Sequence, residues 1–187
     1  MTFRFFFSLY LIFFLNLSPT INSNVFSQDF KTKNWFSFLD NNSILIGSGK
    51  LYFFGIKLYK ASFFSVPTIK GEFPFENKFA LTIKYSKSVR KERIADTSKK
   101  EMLRLNLYKE QKINNWHNWM LEKFPDISRD DILTGIFLPE VGIKLFHNDI
   151  LIAENDSVDF AIAFFSIWLH KDTSRPKLRN NLFESRN

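Results

Sequence analysis

From Val158 to Leu169 the chain reads VDFAIAFFSIWL, a helical stretch that is apolar on nearly every side. Phe160, Ala161, Phe164, Phe165 and Trp168 form one stripe, while Ile162 and Ile167 lie elsewhere, so no orientation of this helix leaves only polar groups in water. Such a helix must be buried on more than one side, which predicts that this segment is the central core helix. Asp156 or Ser157 is placed to cap it, and Asp159 lies in its first turn, where the helix dipole favours a negative charge. The rest of the composition fits a large packed interior. The chain of 187 residues is 45% apolar, with 24 Phe against 5 Tyr and 4 Trp. Phe adds apolar area without a polar group to satisfy, so a Phe-rich core that lines a cavity follows.

The N-terminus reads as an address rather than a fold. Phe5 to Leu17 is an almost unbroken apolar run of 13 residues behind Arg4, closed by Ser18, Pro19 and Thr20. At about 1.5 Å per residue it reaches roughly 20 Å, short of the ~30 Å hydrocarbon core of a bilayer. A secretory signal peptide over 1–23, cleaved near Ser23, is the expectation, with one exported domain over 24–187 in the periplasm or outside the cell. No second run of membrane length follows, so no transmembrane span is expected after cleavage.

The remaining chain alternates between two periods. Strand signals cover Ile44 to Phe54, Ile56 to Val66 and Phe79 to Tyr85, with Gly47, Gly49 and Gly55 read as bends in a strand meander. Val89 to Leu107 and Glu110 to Phe124 have apolar residues at three- and four-residue steps and predict a helical hairpin. Strands return at Ile132 to Leu138 and Gly142 to Phe146, and a turn at His147 to Asp149 leads into Ile150 to Ala153. Pro176 suits the first position of a short terminal helix.

Several chemistries drop out. There is no Cys, which excludes disulfides, thiolate catalysis and cysteine-held metals. Gly47-Ser48-Gly49-Lys50 has Ile44 where a phosphate loop needs its first Gly and Leu51 where it needs Ser or Thr. Ser48 lacks the strand-turn-helix elbow of a serine hydrolase. His117, His147 and His170 share no ligand spacing, so no metal and no cofactor is implied. Asp130 and Asp131 read as turn residues. The formal charge of +7 is concentrated in Lys84 to Lys100, where seven cations face Glu92 and Asp96. With Tyr85 as the sole aromatic there, this reads as a solvated helix face with weak attraction to the envelope, not as a nucleic-acid reader.

One polar pair stands out. An unbroken strand over Ile56 to Phe64 puts Lys57 and Tyr59 on one face with Ala61 and Phe63. An ammonium beside a phenol, above a Phe-rich cavity, suits a small apolar ligand with an acidic or phenolic end. The plainer alternative has Lys57 reaching solvent and Tyr59 packed with its hydroxyl satisfied.

Four words of the sequence, in order, carry a family resemblance: Ile46-Gly47-Ser48-Gly49-Lys50-Leu51, Gly55-Ile56-Lys57-Leu58-Tyr59, Leu133-Thr134-Gly135-Ile136-Phe137-Leu138-Pro139 and Phe160 to Leu169. Over Ser43 to Phe183 the chain resembles the chalcone isomerase-like family, in particular its exported bacterial branch. The resemblance implies an α+β fold, an open-faced β-sandwich in which helices layer on one face of a large antiparallel sheet and a ligand cleft lies between them. True chalcone isomerases work without a cofactor, using an Arg, a Thr and a Tyr. By this resemblance Gly47 takes the Arg position, Tyr59 the Thr position, and the third falls near Arg93 or Ile94. Losing the guanidinium removes the strongest partner of the developing negative charge, so flavonoid chemistry is not expected. Fatty-acid-binding relatives use the same Arg for a carboxylate, and here Lys50, Lys57 or Arg93 is the replacement cation. The expectation is a non-catalytic binder of a small apolar carboxylate or phenol, such as a fatty acid, with Lys57, Tyr59 and Arg93 as ligand contacts. A cofactor-independent isomerase or intramolecular lyase with Tyr59 as proton donor, and an envelope scaffold, are the alternatives.

Overall fold

The computed structural model describes residues 30–72 and 74–184. The expected signal segment lies outside the described residues. Six strands form one antiparallel sheet in simple sequence order: β1 (Ile44–Phe53), β2 (Ile56–Ser65), β3 (Phe79–Tyr85), β4 (Ile132–Leu138), β5 (Gly142–His147) and β6 (Ile150–Asn155). The connection from β3 to β4 carries α1 (Lys91–Leu105) and α2 (Glu110–Lys123); α3 (Val158–Leu169) and α4 (Pro176–Phe183) follow β6. The α+β open-faced sandwich expected from the sequence is the observed architecture.

The local chemistry explains the boundaries. α1 ends where Asn106 turns left-handed at φ 52 and donates its N–H to the Met102 and Leu103 carbonyls, a role its short amide side chain tolerates. α2 stops at Phe124, before Pro125, because the residue preceding a proline is pushed out of the helical region. Of the two caps expected for α3, Ser157 is the one used: its Oγ accepts from the Phe160 N–H at 3.2 Å.

The main core lies between the sheet and the helices. Phe63, Phe79, Leu81, Phe137 and Leu145 rise from the strands to meet α3, whose Phe160, Ala161 and Phe165 are fully buried. Phe165 meets Phe79 edge-on at 4.8 Å, an arrangement aromatic quadrupoles favour. Ala95 and Met102 of α1 and Ile113, Trp116 and Met120 of α2 close the same core. The other sheet face is partly covered by the lead-in, where Trp35 and Leu39 pack on Phe64, Ile136 and Phe146.

The glycines of β1 have a second cause beside the bends expected. The pairing of β1 with β2 steps from Leu45–Phe64 to Gly47–Phe63, a bulge at Ile46 that bends the strand just before Gly47, and α4 lies directly on Gly47 and Gly49. A Cβ on Gly47 would sit 2.3 Å from the Asn181 carbonyl oxygen and 2.7 Å from that of Leu182, while one on Gly49 would meet Leu178 at 2.6 Å. Because Leu178 faces Gly49 and Leu182 faces Gly47, α4 runs antiparallel to β1 and its N-terminal end lies toward Phe53. Arg179 ties this helix down by donating to the Leu169 and Gly71 carbonyls, each at 2.7 Å.

Candidate ligand-binding site

Between sheet and helices lies a cavity of about 370 Å³. Its floor is Leu81, Ile83, Leu133 and Leu145, with Gly135 leaving room where a side chain would strike the Phe165 ring at 2.9 Å. Phe164, Phe165, Ile167 and Trp168 of α3 form the roof. Arg93, Ile94, Thr97, Ser98 and Glu101 of α1 form the side wall; their spacing of i, i+1, i+4, i+5 and i+8 is one helical face. Phe53, Leu58, Lys87 and Arg175 also line it, at the end of the sheet where β1 runs into β2. A second concavity, beside Leu107, Lys109 and Asn115 near the start of α2, is open to solvent and apart from these groups.

One polar pair is held inside this apolar space. Trp168 Nε1 donates to the Tyr59 hydroxyl oxygen at 2.9 Å. Indole is a donor only, so the Tyr59 O–H remains available to donate elsewhere. Burial pushes the Tyr59 phenol up to about 12, Glu101 adds to the rise, and the Trp168 hydrogen bond and Arg175 charge oppose it. Tyr85, whose ring centroid is 6.0 Å from that of Tyr59, is raised too, first by burial and then by Tyr59. Both phenols stay neutral at physiological pH. Lys87, Arg93 and Arg175 are exposed side chains, so the cations belong to the rim and the tyrosines to the interior. Glu101 is the one carboxylate in the lining, and its Oε2 accepts from Arg104 Nε at 2.8 Å.

Of the residues expected from the sequence, Tyr59 and Arg93 line the cavity and Lys57 does not. The expected Lys57/Tyr59 neighbourhood assumed an unbroken strand. In the structure Leu51 pairs with Tyr59 but Tyr52 pairs with Lys57, so Leu58 is an extra residue in β2 and the alternation slips there. Leu58 and Tyr59 both face the cavity, and Lys57 is left exposed near the hairpin tip. Lys50 is exposed as well and is not part of the lining. Gly47 lies under α4 rather than on the cavity wall. The space a long side chain would need there is filled by the Asn181 and Leu182 backbone, and the same helix brings Arg175, just before its first residue, to the cavity. Arg175, Trp168 and Glu101 are the functional candidates that reading the sequence missed. The α1 face could have revealed Glu101; Arg175 has no local signal, since tertiary docking of α4 alone places it.

The histidines stand apart from the cavity. His117 Nε2 lies 2.7 Å from an Asp96 carboxylate oxygen and His147 Nε2 lies 2.9 Å from one of Asp131. Asp131 organises the turn before β4: Asn148 Nδ2 and the Ser128 N–H donate to it and, with His147, hold its carboxyl below the usual range.

The chalcone isomerase-like family profile matches residues 26–184. An uncharacterized protein of Haemophilus influenzae is 33% identical over 107 residues, 57% of this chain and 52% of the relative, so the match spans about half the length of that protein. Among solved structures, the fatty-acid binding protein of Arabidopsis thaliana superposes with a TM-score of 0.59 over 78% of this chain and 88% of its own, at 8% identity. That likeness is one of fold. With the sheet order, the layered helices and a profile match over nearly all the described residues, the chain belongs to the chalcone isomerase-like family.

Proposed function

We propose that this protein binds a small apolar molecule with an acidic or phenolic end, a fatty acid being the leading example, and does not turn it over. The observation that carries the reading is the 370 Å³ apolar cavity with Lys87, Arg93 and Arg175 around its mouth. The volume lies at the lower end of the roughly 300–1,000 Å³ of small-molecule sites. An alkyl chain or aromatic body loses its water contact among Leu81, Ile83, Leu133 and Phe164, and its anionic end meets the cations at the rim. Tyr59 offers a neutral O–H donor inside. A phenol near 12 is poorly matched to proton transfer at neutral pH, which favours holding a ligand over catalysis. A structural neighbour described as a fatty-acid binding protein lends the ligand class. The reading includes export, resting on the apolar run from Phe5 to Leu17 and the turn residues behind it.

Mass spectrometry of the protein extracted gently from its native host tests this reading. A stoichiometric acyl or aromatic acid is expected, together with an N-terminus near Asn24. An empty protein that takes up no acyl or aromatic acid when challenged would overturn the binding reading.

A further inference from the structure

The tip of the β1–β2 hairpin works against its own stability. Phe54 at φ 46 and Gly55 at φ 75 form a two-residue turn of the kind that Asn-Gly fills best, and a bulky side chain in the left-handed region is strained. Phe54 is also 89% exposed, stacked edge-on with Phe53 at 4.5 Å, and Tyr52, Phe53 and Ile56 are each more than half exposed. Tyr59 is the first β2 residue in register with β3, opposite Tyr85, so the tip overhangs the sheet. At ~3.3 Å per residue the segment from Leu58 to Phe54 projects about 13 Å.

The hairpin that carries this apolar tip holds charge of one sign. From Ile44 to Ser65 there are Lys50, Lys57 and Lys60 and no Asp or Glu, and the segment after β3 adds Lys87, Arg90 and Lys91. The hairpin also reaches the cavity mouth, where Phe53 and Leu58 are part of the lining.

We infer that the β1–β2 hairpin docks on an anionic lipid bilayer, with the Phe53 and Phe54 rings below the headgroups and Lys57 and its neighbours at phosphate depth. An unsupported aromatic tip on a hairpin whose charges are all positive is complementary to a layer that is apolar inside and negative at its surface. Docking in this pose seats the cavity mouth against lipid. The docking stands on the hairpin alone; its use for loading or releasing a ligand rests on the binding function proposed above.

Sedimentation with vesicles tests it, comparing equal parts of phosphatidylglycerol and phosphatidylcholine with phosphatidylcholine alone. Wild type and Phe54→Asn carry the same N-terminus, so their difference reads the tip. Wild type is expected to bind the anionic vesicles at least tenfold better than the neutral ones. Phe54→Asn should lose at least tenfold of that binding while its melting temperature stays level or rises, because Asn suits the turn. Lys57→Gln should lose about fivefold, the effect of one cation at such a surface. Equal vesicle binding by wild type and Phe54→Asn would overturn the inference. So would a concentration-dependent dimer that Phe54→Asn dissolves, since the tip would then be a contact between copies. Dodecanoate uptake in vesicle-free buffer, measured on both proteins, reports on the cavity separately: its absence would remove the ligand reading and leave the vesicle result standing.

Discussion

Gly47 shows how a single missing side chain can position a helix. The Asn181 and Leu182 carbonyls occupy the place of its Cβ, and carbonyls of a helix cannot swing aside as a side-chain end can. Gly47→Ala should therefore cost about 1–3 kcal/mol, the usual penalty of overfilling a packed contact. Chemical denaturation measures the loss, and hydrogen exchange should show it concentrated in α4. Gly47 was visible in the sequence as a departure from the chalcone isomerase pattern, but its cause was not, because it depends on a helix more than a hundred residues away. Tyr59 makes a second prediction at this scale. Burial favours the neutral phenol, so the folded pKa near 12 exceeds the ordinary 10 of the unfolded chain. Its contribution is fully present below pH 10 and is lost as pH rises from 10 through 12, because the unfolded chain releases the proton first. Unfolding followed against pH, with tyrosinate absorbance, should show stability falling in that window, and Tyr59→Phe should flatten part of the slope.

Among the elements, α3 was the most legible and β2 the least. An apolar sequence such as Val158 to Leu169 can satisfy its surface only by burial, and the helix is indeed covered by strands below and by α1 and α2 beside it. The sequence left two capping candidates, and the structure chooses between them. Ser157→Ala should cost about 1 kcal/mol, as for helix caps generally, whereas Asp156→Ala should be nearly neutral; thermal melts of the two variants check the pair. In β2 the alternation rule failed at Leu58, because a bulge is a property of two paired strands and leaves no mark on the periodicity of one. That slip moved Lys57 away from the cavity and turned Leu58 toward it. The cations of α1 were read as a solvated face, which holds for most of them, but Arg93 shares its face with Ile94, Thr97 and Ser98 and so belongs to the cavity.

At the scale of the whole molecule, the fold leaves a void where a more tightly filled interior would be more stable. Gly135 and Ser98 keep large side chains out of it, Trp168 is satisfied by the Tyr59 oxygen while the Tyr59 O–H stays available inside it, and the neighbouring rim gathers Lys87, Arg93 and Arg175. Among the described residues no helix is long and apolar enough to cross a membrane. The site was only half legible for a physical reason: residues on regular faces are foreseeable, while Arg175 reaches the mouth through the docking of α4 on Gly47 and Gly49.

Calorimetric titration of the protein with palmitate, in parallel with Ser98→Phe, tests the cavity most directly. Ser98 is buried in the cavity wall, so the added ring fills the space a ligand would take. The account predicts saturable binding of one palmitate by wild type and a loss of at least about tenfold, or 1.4 kcal/mol, in the variant. Circular dichroism confirms that the variant remains folded. Palmitate binding of equal strength by a folded Ser98→Phe protein, or none by the wild type, would contradict it.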